Sequence, residues 1–268
     1  IPAKKSEEAM KLGVNIDHIA VLREARRCGD PSPIDALLPC AIAGADQITI
    51  HLREDRRHIQ DEDAKTIIAL SRLPVNLECA VEPSIIQIVC SLKPDRATLV
   101  PEKREEVTTE GGLDVVGSYE RVKNAINALK NAEIAVSLFI DPTVEAVEKS
   151  ARLGADAVEF HTGKYANLHL ALNTNLQSTH HRIAELDKPK KELKTELEAE
   201  IAQIAKCAEY AKNIGLFVAA GHGLNYQNVS EIANIKEIEE LNIGQSIIAR
   251  SVFTGLENAV REMKRIVK

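Results

Sequence analysis

GVNIDHIA, residues 13–20, is the stretch on which the fold turns. GVNI (13–16) reads as a strand, and polar Asp17 and His18 come directly after it. An open, doubly wound sheet puts a glycine-rich phosphate loop after its first strand. Here neither G-x-G-x-x-G nor G-x-x-x-x-G-K-[ST] appears. The strand delivers side chains instead: Asn15 and Asp17 share one face by the period of two. A closed barrel of parallel strands builds its chemistry this way, from residues at the carboxyl ends of its strands.

Seven further strand signals occur along the chain: QITIHL (47–52), VNLECAV (75–81), ATLVPE (97–102), AVSLFID (135–141), AVEFHT (157–162), LFVAAG (216–221) and ELNIG (240–244). Amphipathic helical patterns lie between them at 61–73, 83–92, 118–132, 143–153, 192–214, 227–235 and 246–267, with a shorter one at 33–43. AGAD (43–46), LGAD (153–156) and NIGL (213–216) each place a glycine where a helix stops and a strand is about to begin. Strand–helix alternation implies parallel strands with crossover helices, and eight such units predict an α/β fold, the (β/α)8 TIM barrel. No linker or change of composition divides the chain, so residues 10–268 are expected to form a single domain. The first nine residues, IPAKKSEEA, are polar and unlike the rest of the chain. They read as a cloning remnant or a disordered tail, with Met10 the natural start.

The chain has 268 residues, 44% hydrophobic and 28% charged, with a net charge of −6. That balance argues against a nucleic-acid surface, which needs a basic excess. Five cysteines, none in C-x-x-C spacing, leave no complete disulfide framework and favour reduced thiols. No apolar run approaches the roughly 18 residues of a membrane span, and no signal peptide is visible. The expectation is a cytoplasmic protein with no membrane and no nucleic-acid partner.

The strand ends carry the polar residues. They are Asn15, Asp17 and His18; His51 and Arg53; Glu78; Glu102, Lys103 and Arg104; Asp141; Glu159, His161 and Thr162; Gly221, His222 and Gly223; Asn242 and Gly244. A lone strand-end histidine is more often structural than catalytic. Glu78 is different, because a carboxylate between Leu77 and Cys79 in a buried strand is costly unless paired or used. Its bland alternative is a buried ion pair with an arginine. Cys79 should point away from Glu78 by strand alternation.

Two anion sites suggest themselves. Gly221-His222-Gly223 and Asn242-Ile243-Gly244 come after strands seven and eight, where backbone N–H groups and the positive end of the helix starting near Ser246 can meet a phosphate. The alternative is that these glycines only make tight turns. Arg23, Arg26, Arg53, Arg56 and Arg57 form the second set, and guanidinium pairs well with phosphate; a solvated face is its alternative. PEKREEVTTEGG (101–112) is a long polar loop that reads as a lid or as plain surface. A metal site has little support, since H-x-H and H-E-x-x-H spacings are absent. A Schiff-base lysine has little more, since Lys103 and Lys164 lie in loop-like contexts.

Together GVNIDHIAVLREAR (13–26), GADQITIHLREDRRHI (44–59), NLE (76–78), LVPEKREEVTTEGGLDV (99–115), VSLFID (136–141), EFHTG (159–163), AGHGL (220–224) and ELNIG (240–244) closely resemble the pyridoxine 5′-phosphate synthase family. The resemblance runs along nearly the whole chain from Met10. It implies a (β/α)8 barrel with extra helices, assembled as a homo-octamer built from dimers. It implies condensation of 3-amino-2-oxopropyl phosphate with 1-deoxy-D-xylulose 5-phosphate to pyridoxine 5′-phosphate, inorganic phosphate and water, a step of vitamin B6 biosynthesis that needs no metal and no organic cofactor. By the same resemblance His51, Glu78 and His222 match catalytic acid/base positions. Asn15, Arg26 and Gly223 match positions that bind the aminoketone phosphate. Asp17, His18, Arg53, His58 and Thr108 match positions that bind the deoxyxylulose phosphate, and Gly244 a phosphate-side position.

The chain departs from the family pattern twice. Gln245 stands where a histidine commonly comes after the glycine that ends strand eight, so that side chain can donate a hydrogen bond but not carry charge. The segment 166–195 is longer than usual and reads as a surface excursion ending in an extended helix. Two other functions compete: a metal-dependent phosphosugar epimerase using Asp17, His51, His161 and His222 as ligands, and a barrel that binds a phosphate ligand without catalysis.

Overall fold

Eight short parallel strands close on themselves in the order in which they occur along the chain, β1 to β8, with β8 returning to pair with β1. They are β1 (Lys11–Asn15), β2 (Gln47–His51), β3 (Val75–Ala80), β4 (Arg96–Val100), β5 (Ala135–Ile140), β6 (Ala157–His161), β7 (Phe217–Gly221) and β8 (Glu240–Ile243). This computed structural model describes residues 9–102, 111–180 and 182–268. The (β/α)8 barrel expected from the alternation is the fold observed. All eight strand signals fall on strands.

The helices are α1 (Asp17–Arg26), α2 (Leu37–Ala43), α3 (Asp61–Leu70), α4 (Pro83–Leu92), α5 (Tyr119–Asn131), α6 (Val144–Leu153), α7 (Gly163–Asn173), α8 (Lys190–Asn213), α9 (Val229–Ala233), α10 (Gln245–Thr254) and α11 (Leu256–Ile266). Two of them, α1 and α7, have no counterpart among the sequence patterns. The pattern at 246–267 is two helices, broken at Gly255 with φ of 77°. The long segment 166–195 divides in two. Its first part belongs to α7, and two 3-10 turns then lead into α8, which runs for 24 residues.

The stop signals work as their chemistry requires. Gly44 and Gly154 end α2 and α6 with φ of 93° and 88°, a left-handed conformation that a Cβ disfavours. The acidic residue just beyond each has its own task. Asp46 accepts the backbone N–H of Leu12 at 2.7 Å, and Asp156 that of Val136 at 2.9 Å. Asp95 does the same for Val75 at 2.8 Å, and Glu239 for Val218 at 3.2 Å. Each of the four odd-numbered strands therefore has an early N–H held by a carboxylate placed just before the next strand. A donor at the barrel floor would otherwise be left unpaired, and the same bonds hold neighbouring strands in register.

Alternation sorts the side chains. In β2, Ile48 and Ile50 face the helices and are fully buried, while Gln47, Thr49 and His51 face the barrel axis. In β3, Leu77 and Cys79 face outward and Asn76 and Glu78 inward. The main apolar core thus lies between strands and helices, and the barrel axis is polar. There Gln47 Nε2 donates to Glu240 at 3.2 Å and to Asn242 at 3.3 Å, Thr98 donates to Asn76 at 2.7 Å, and Arg96 donates to Glu240 at 2.6 Å. Hydrogen bonding offsets the cost of burying these groups.

Candidate active site

A cavity of about 330 Å³ opens at the carboxyl ends of the strands. Its walls carry Asn15 and His18 from the start of the chain, Glu78 from β3, Glu159 from β6, His222 and Gly223 after β7, and Gly244 and Gln245 at the start of α10. The strand register explains the convergence. His51 and Glu78 are direct neighbours across the β2–β3 pair and both face inward. His51 Nδ1 lies 3.8 Å from Glu78 Oε2, and Nε2 lies 3.6 Å from Glu102 Oε2.

Asp17 ties strand one to strand two. Its Oδ1 accepts the backbone N–H of His51 at 2.9 Å, and its Oδ2 accepts Asn15 Nδ2 at 2.9 Å. Burial lifts its carboxyl to about 6, against the opposing pull of His51 and of these hydrogen bonds. Burial lifts Glu78 well above the ordinary carboxylate range, and the nearby Glu159 and Asp17 push it further the same way. A carboxyl shifted this way favours its protonated form and is suited to proton transfer.

His222 sits at the opposite wall with φ of 80°, a left-handed conformation uncommon for histidine. Thr162 fixes that turn: its hydroxyl lies 2.7 Å from Gly221 O and 2.6 Å from His222 O, donating its one proton across the pair. Burial lowers the His222 imidazole to about 4, with His161 and His18 adding to the effect, so it is neutral at pH 7. The His161 ring lies 5.0 Å from that of His222, and its Nδ1 is 3.2 Å from Asp141 Oδ1. At Gly163 a Cβ would stand 2.4 Å from His161 Nε2, so only glycine lets α7 begin this close to the two rings. At Gly244 a Cβ would stand 2.9 Å from Asn15 Cβ. Gly244 and Gln245 line the cavity at the first turn of α10, and backbone N–H groups at a helix start suit an anion.

A family model described as pyridoxal phosphate biosynthesis protein PdxJ matches residues 12–268. The chain belongs to the PdxJ family. It is 62% identical over 259 residues to the pyridoxine 5′-phosphate synthase of Aliarcobacter butzleri (strain RM4018), covering 97% of this chain and 99% of that one. It is 63% identical over 258 residues to the pyridoxine 5′-phosphate synthase of Sulfurovum sp. (strain NBC37-1), covering 96% of this chain and 100% of that one. Among solved structures, a 4-hydroxy-2-oxoglutarate aldolase from TTHB1 superposes with a TM-score of 0.58 at 12% identity, covering 98% and 96% of the two chains. A phosphoribosylanthranilate isomerase of Thermotoga maritima gives 0.55 at 9% identity, covering 96% and 98%. At such identities the likeness shows the barrel alone.

Against the PdxJ pattern, the cavity brings together Asn15, His18, Glu78, His222, Gly223, Gly244 and Gln245. His51, Asp17, Arg53 and His58 are buried around it. His58 Nδ1 accepts the N–H of Ile59 at 2.9 Å, and burial lowers its imidazole to about 3, with His51 and Arg53 contributing. It is a neutral ring with its proton on Nε2. Arg26 does not join the group. It is exposed at the far end of α1, about 14 Å along the helix from the mouth-side residue Asp17. Thr108 and the central part of the expected lid, 103–110, lie outside the described residues.

The arginine set is divided. Arg23 is buried in a bidentate pair with Asp63, at 2.8 and 2.6 Å, and also donates to His58 O at 3.1 Å. It holds the loop after β2 in place. Arg56 pairs with Asp61 at 2.9 Å and Arg57 with Asp55 at 2.5 Å. Arg53 Nε lies 3.4 Å from Glu102 Oε1. Among the described residues no three His, Cys, Asp or Glu side chains are grouped as a metal site. Of the ligand set considered from sequence, both oxygens of Asp17 accept hydrogen bonds and His161 Nδ1 faces Asp141.

Sequence reasoning places Glu159 among the strand-end residues and gives it no role. Its inward parity with His161 in β6 is the available signal. It is 3% exposed, and its Oε2 accepts Asn242 Nδ2 at 2.7 Å. Burial raises its carboxyl from 4.5 to about 7. A raised folded-state value means that the group's stabilising contribution is present at low pH and is lost as pH rises through about 7. Glu159→Gln keeps an amide oxygen for Asn242 and cannot ionise. Its melting temperature is therefore expected to exceed the parent's at about pH 8, by on the order of 2 kcal/mol or roughly 5 °C, and to match it near pH 4. Thermal melts across that range check this; a gap independent of pH would show that ionisation of Glu159 is not its source.

Proposed function

We propose that this chain condenses 3-amino-2-oxopropyl phosphate with 1-deoxy-D-xylulose 5-phosphate to give pyridoxine 5′-phosphate, inorganic phosphate and water. One observation carries the reading beyond family membership: His51 stands 3.8 Å from Glu78, a carboxyl with raised proton affinity that lines a cavity onto which the first turn of a helix also opens. The chemistry needs both halves. An amine attacks a ketone, water and phosphate depart, and a new carbon–carbon bond closes the ring. Every one of these steps moves a proton, and the substrates carry anionic phosphates.

In this reading His51 takes protons as a general base, and Glu78, protonated at rest, gives one up and recovers it later in the sequence. Neutral His222 donates a hydrogen bond from its ring, and a phosphate dianion arriving beside it favours its protonated form. The backbone of Gly223, Gly244 and Gln245 offers N–H groups to one phosphate. Asn15 belongs with the aminoketone phosphate, and Asp17, His18, Arg53, His58 and Thr108 with the deoxyxylulose phosphate. Gln245 contributes a neutral donor where relatives commonly have a histidine. Arg26, far from the mouth in its own chain, meets substrate only from a neighbouring copy or after rearrangement.

Assembly as an octamer built from dimers, in the cytoplasm, completes the proposal. Exposed apolar side chains support association, among them Phe253 at 86% and Val252 at 68% exposure on α10. Light scattering should return eight times the 29.4 kDa chain mass; a monomer at working concentration would rule out that assembly. The reaction itself is tested by phosphate release. Inorganic phosphate should appear only when both substrates are present and should persist with a chelator. Release from either substrate alone would point to a phosphatase instead, and loss on chelation would favour the metal-dependent alternative.

A further inference from the structure

We propose that Glu102 is a positioning residue for His51: its buried carboxylate receives the Nε2–H of that imidazole and so fixes the tautomer that leaves Nδ1 free on the side of Glu78. This rests on the acid/base role proposed for His51. The Glu102 side chain, just past β4, is 2% exposed, and it is not among the residues lining the cavity. It reaches the chemistry only through the histidine.

Two orphans face each other here. Among the described residues, His51 Nε2 and Glu102 Oε2 are both buried and have no hydrogen-bond partner. They are 3.6 Å apart. Each alone is costly in a protein interior, whereas an approach of about 0.8 Å would join them in a charge-assisted bond. The other carboxylate oxygen is anchored: Oε1 accepts the N–H of Glu54 at 2.9 Å and lies 3.4 Å from Arg53 Nε. Glu102 is thus held from one side and aimed at His51 from the other. Burial by itself would raise its carboxyl, but the partnership with His51, the Glu54 N–H and Arg53 bring it below the ordinary range, so it is charged.

The groups around the imidazole divide by nitrogen. Glu78 from β3 stands at Nδ1 and Glu102 at Nε2. Asp17 binds the His51 backbone N–H, and His58 meets the ring edge-on at 6.1 Å between centroids. A proton on Nε2 leaves Nδ1 with its lone pair toward a protonated Glu78 and the substrate space. When Nδ1 takes a proton, the charged Glu102 stabilises the imidazolium that forms. A neutral residue at 102 loses both the tautomer and that stabilisation.

The test uses the whole chain with ¹⁵N-labelled histidine, with the His51 signals assigned by difference from His51→Asn. Solid-state ¹⁵N spectra read the tautomer without reference to turnover. The parent should carry its proton on Nε2, and Glu102→Gln should give a mixture. In the same variant kcat should fall by about 10²-fold with KM for both substrates within about threefold, and the acidic limb of kcat should move to lower pH because a negative neighbour is gone. Glu102→Asp, which keeps the charge, should recover part of kcat. A parent with the proton on Nδ1, or a Glu102→Gln protein with the parent's tautomer and kcat, would overturn the proposal. Such an outcome would leave Glu102 as a cap for Glu54, which a glutamine amide oxygen serves equally. If Glu102→Gln does not fold, the parent tautomer decides alone. A parent that does not turn over would refute the proposed reaction and leave the tautomer result standing.

Discussion

Glu78→Gln is expected to lower kcat by about 10³-fold while leaving KM for both substrates within about threefold. The substitution is nearly isosteric and replaces the acidic O–H by an amide that cannot transfer a proton. Burial and the neighbouring Glu159 and Asp17 raise the Glu78 carboxyl well above the ordinary range and favour its neutral form. Glutamine therefore resembles the resting state in charge and shape, and stability should not fall. Since the folded-state value is raised, ionising Glu78 costs stability as pH increases, and the variant should be the more stable of the two in alkaline solution. A large loss of rate without a loss of melting temperature separates a catalytic role from a structural one. Steady-state kinetics beside thermal melts give both readings. A kcat close to the parent's would remove Glu78 from the mechanism.

His51→Asn is expected to be as severe, about 10³-fold in kcat. The backbone N–H of residue 51 still reaches Asp17, so strands one and two keep their tie and the fold should hold. The substitution removes an imidazole able to take a proton at Nδ1. The double variant with Glu78→Gln is the sharper experiment. Two groups that exchange protons with the same substrate act as a unit, so the second substitution should cost little once the first is made. Fully multiplicative losses would mean that the two side chains serve separate steps, against the arrangement proposed here.

The strands were legible in the sequence because each is a short β-branched run closed by polar residues at one end. The period of two then separated Glu78 from Cys79 correctly. Helix α1 was not legible for a physical reason. Its buried residues are Asp17, Ala20 and Arg23, so its inward face is held by a carboxylate and a guanidinium and shows no apolar stripe. Arg23 belonged to the anion-binding set for the same reason: nothing in REAR (23–26) says that Asp63, forty residues on, will take it bidentately. The break at Gly255 was hidden by apolar periodicity on both sides of it.

The site was legible where strand ends supply it and less so where loops do. His51, Glu78, His222, Gly223 and Gly244 stood out by their positions, and Glu159 could have been found from parity with His161. Glu102 could not be given a role from the sequence. It lies just past the end of β4, and although it shares the face of Thr98 by the period of two, only closure of the barrel sets it beside His51. His58 kept its place near the site, with a neutral ring that no pattern reveals.

The most direct measurement is product formation by the purified parent chain given both phosphorylated substrates, with the product identified by absorbance and by mass. The proposed reaction requires pyridoxine 5′-phosphate to accumulate in equal amount with released inorganic phosphate. Folded protein that consumes neither substrate, or that releases phosphate without forming the ring, would contradict it.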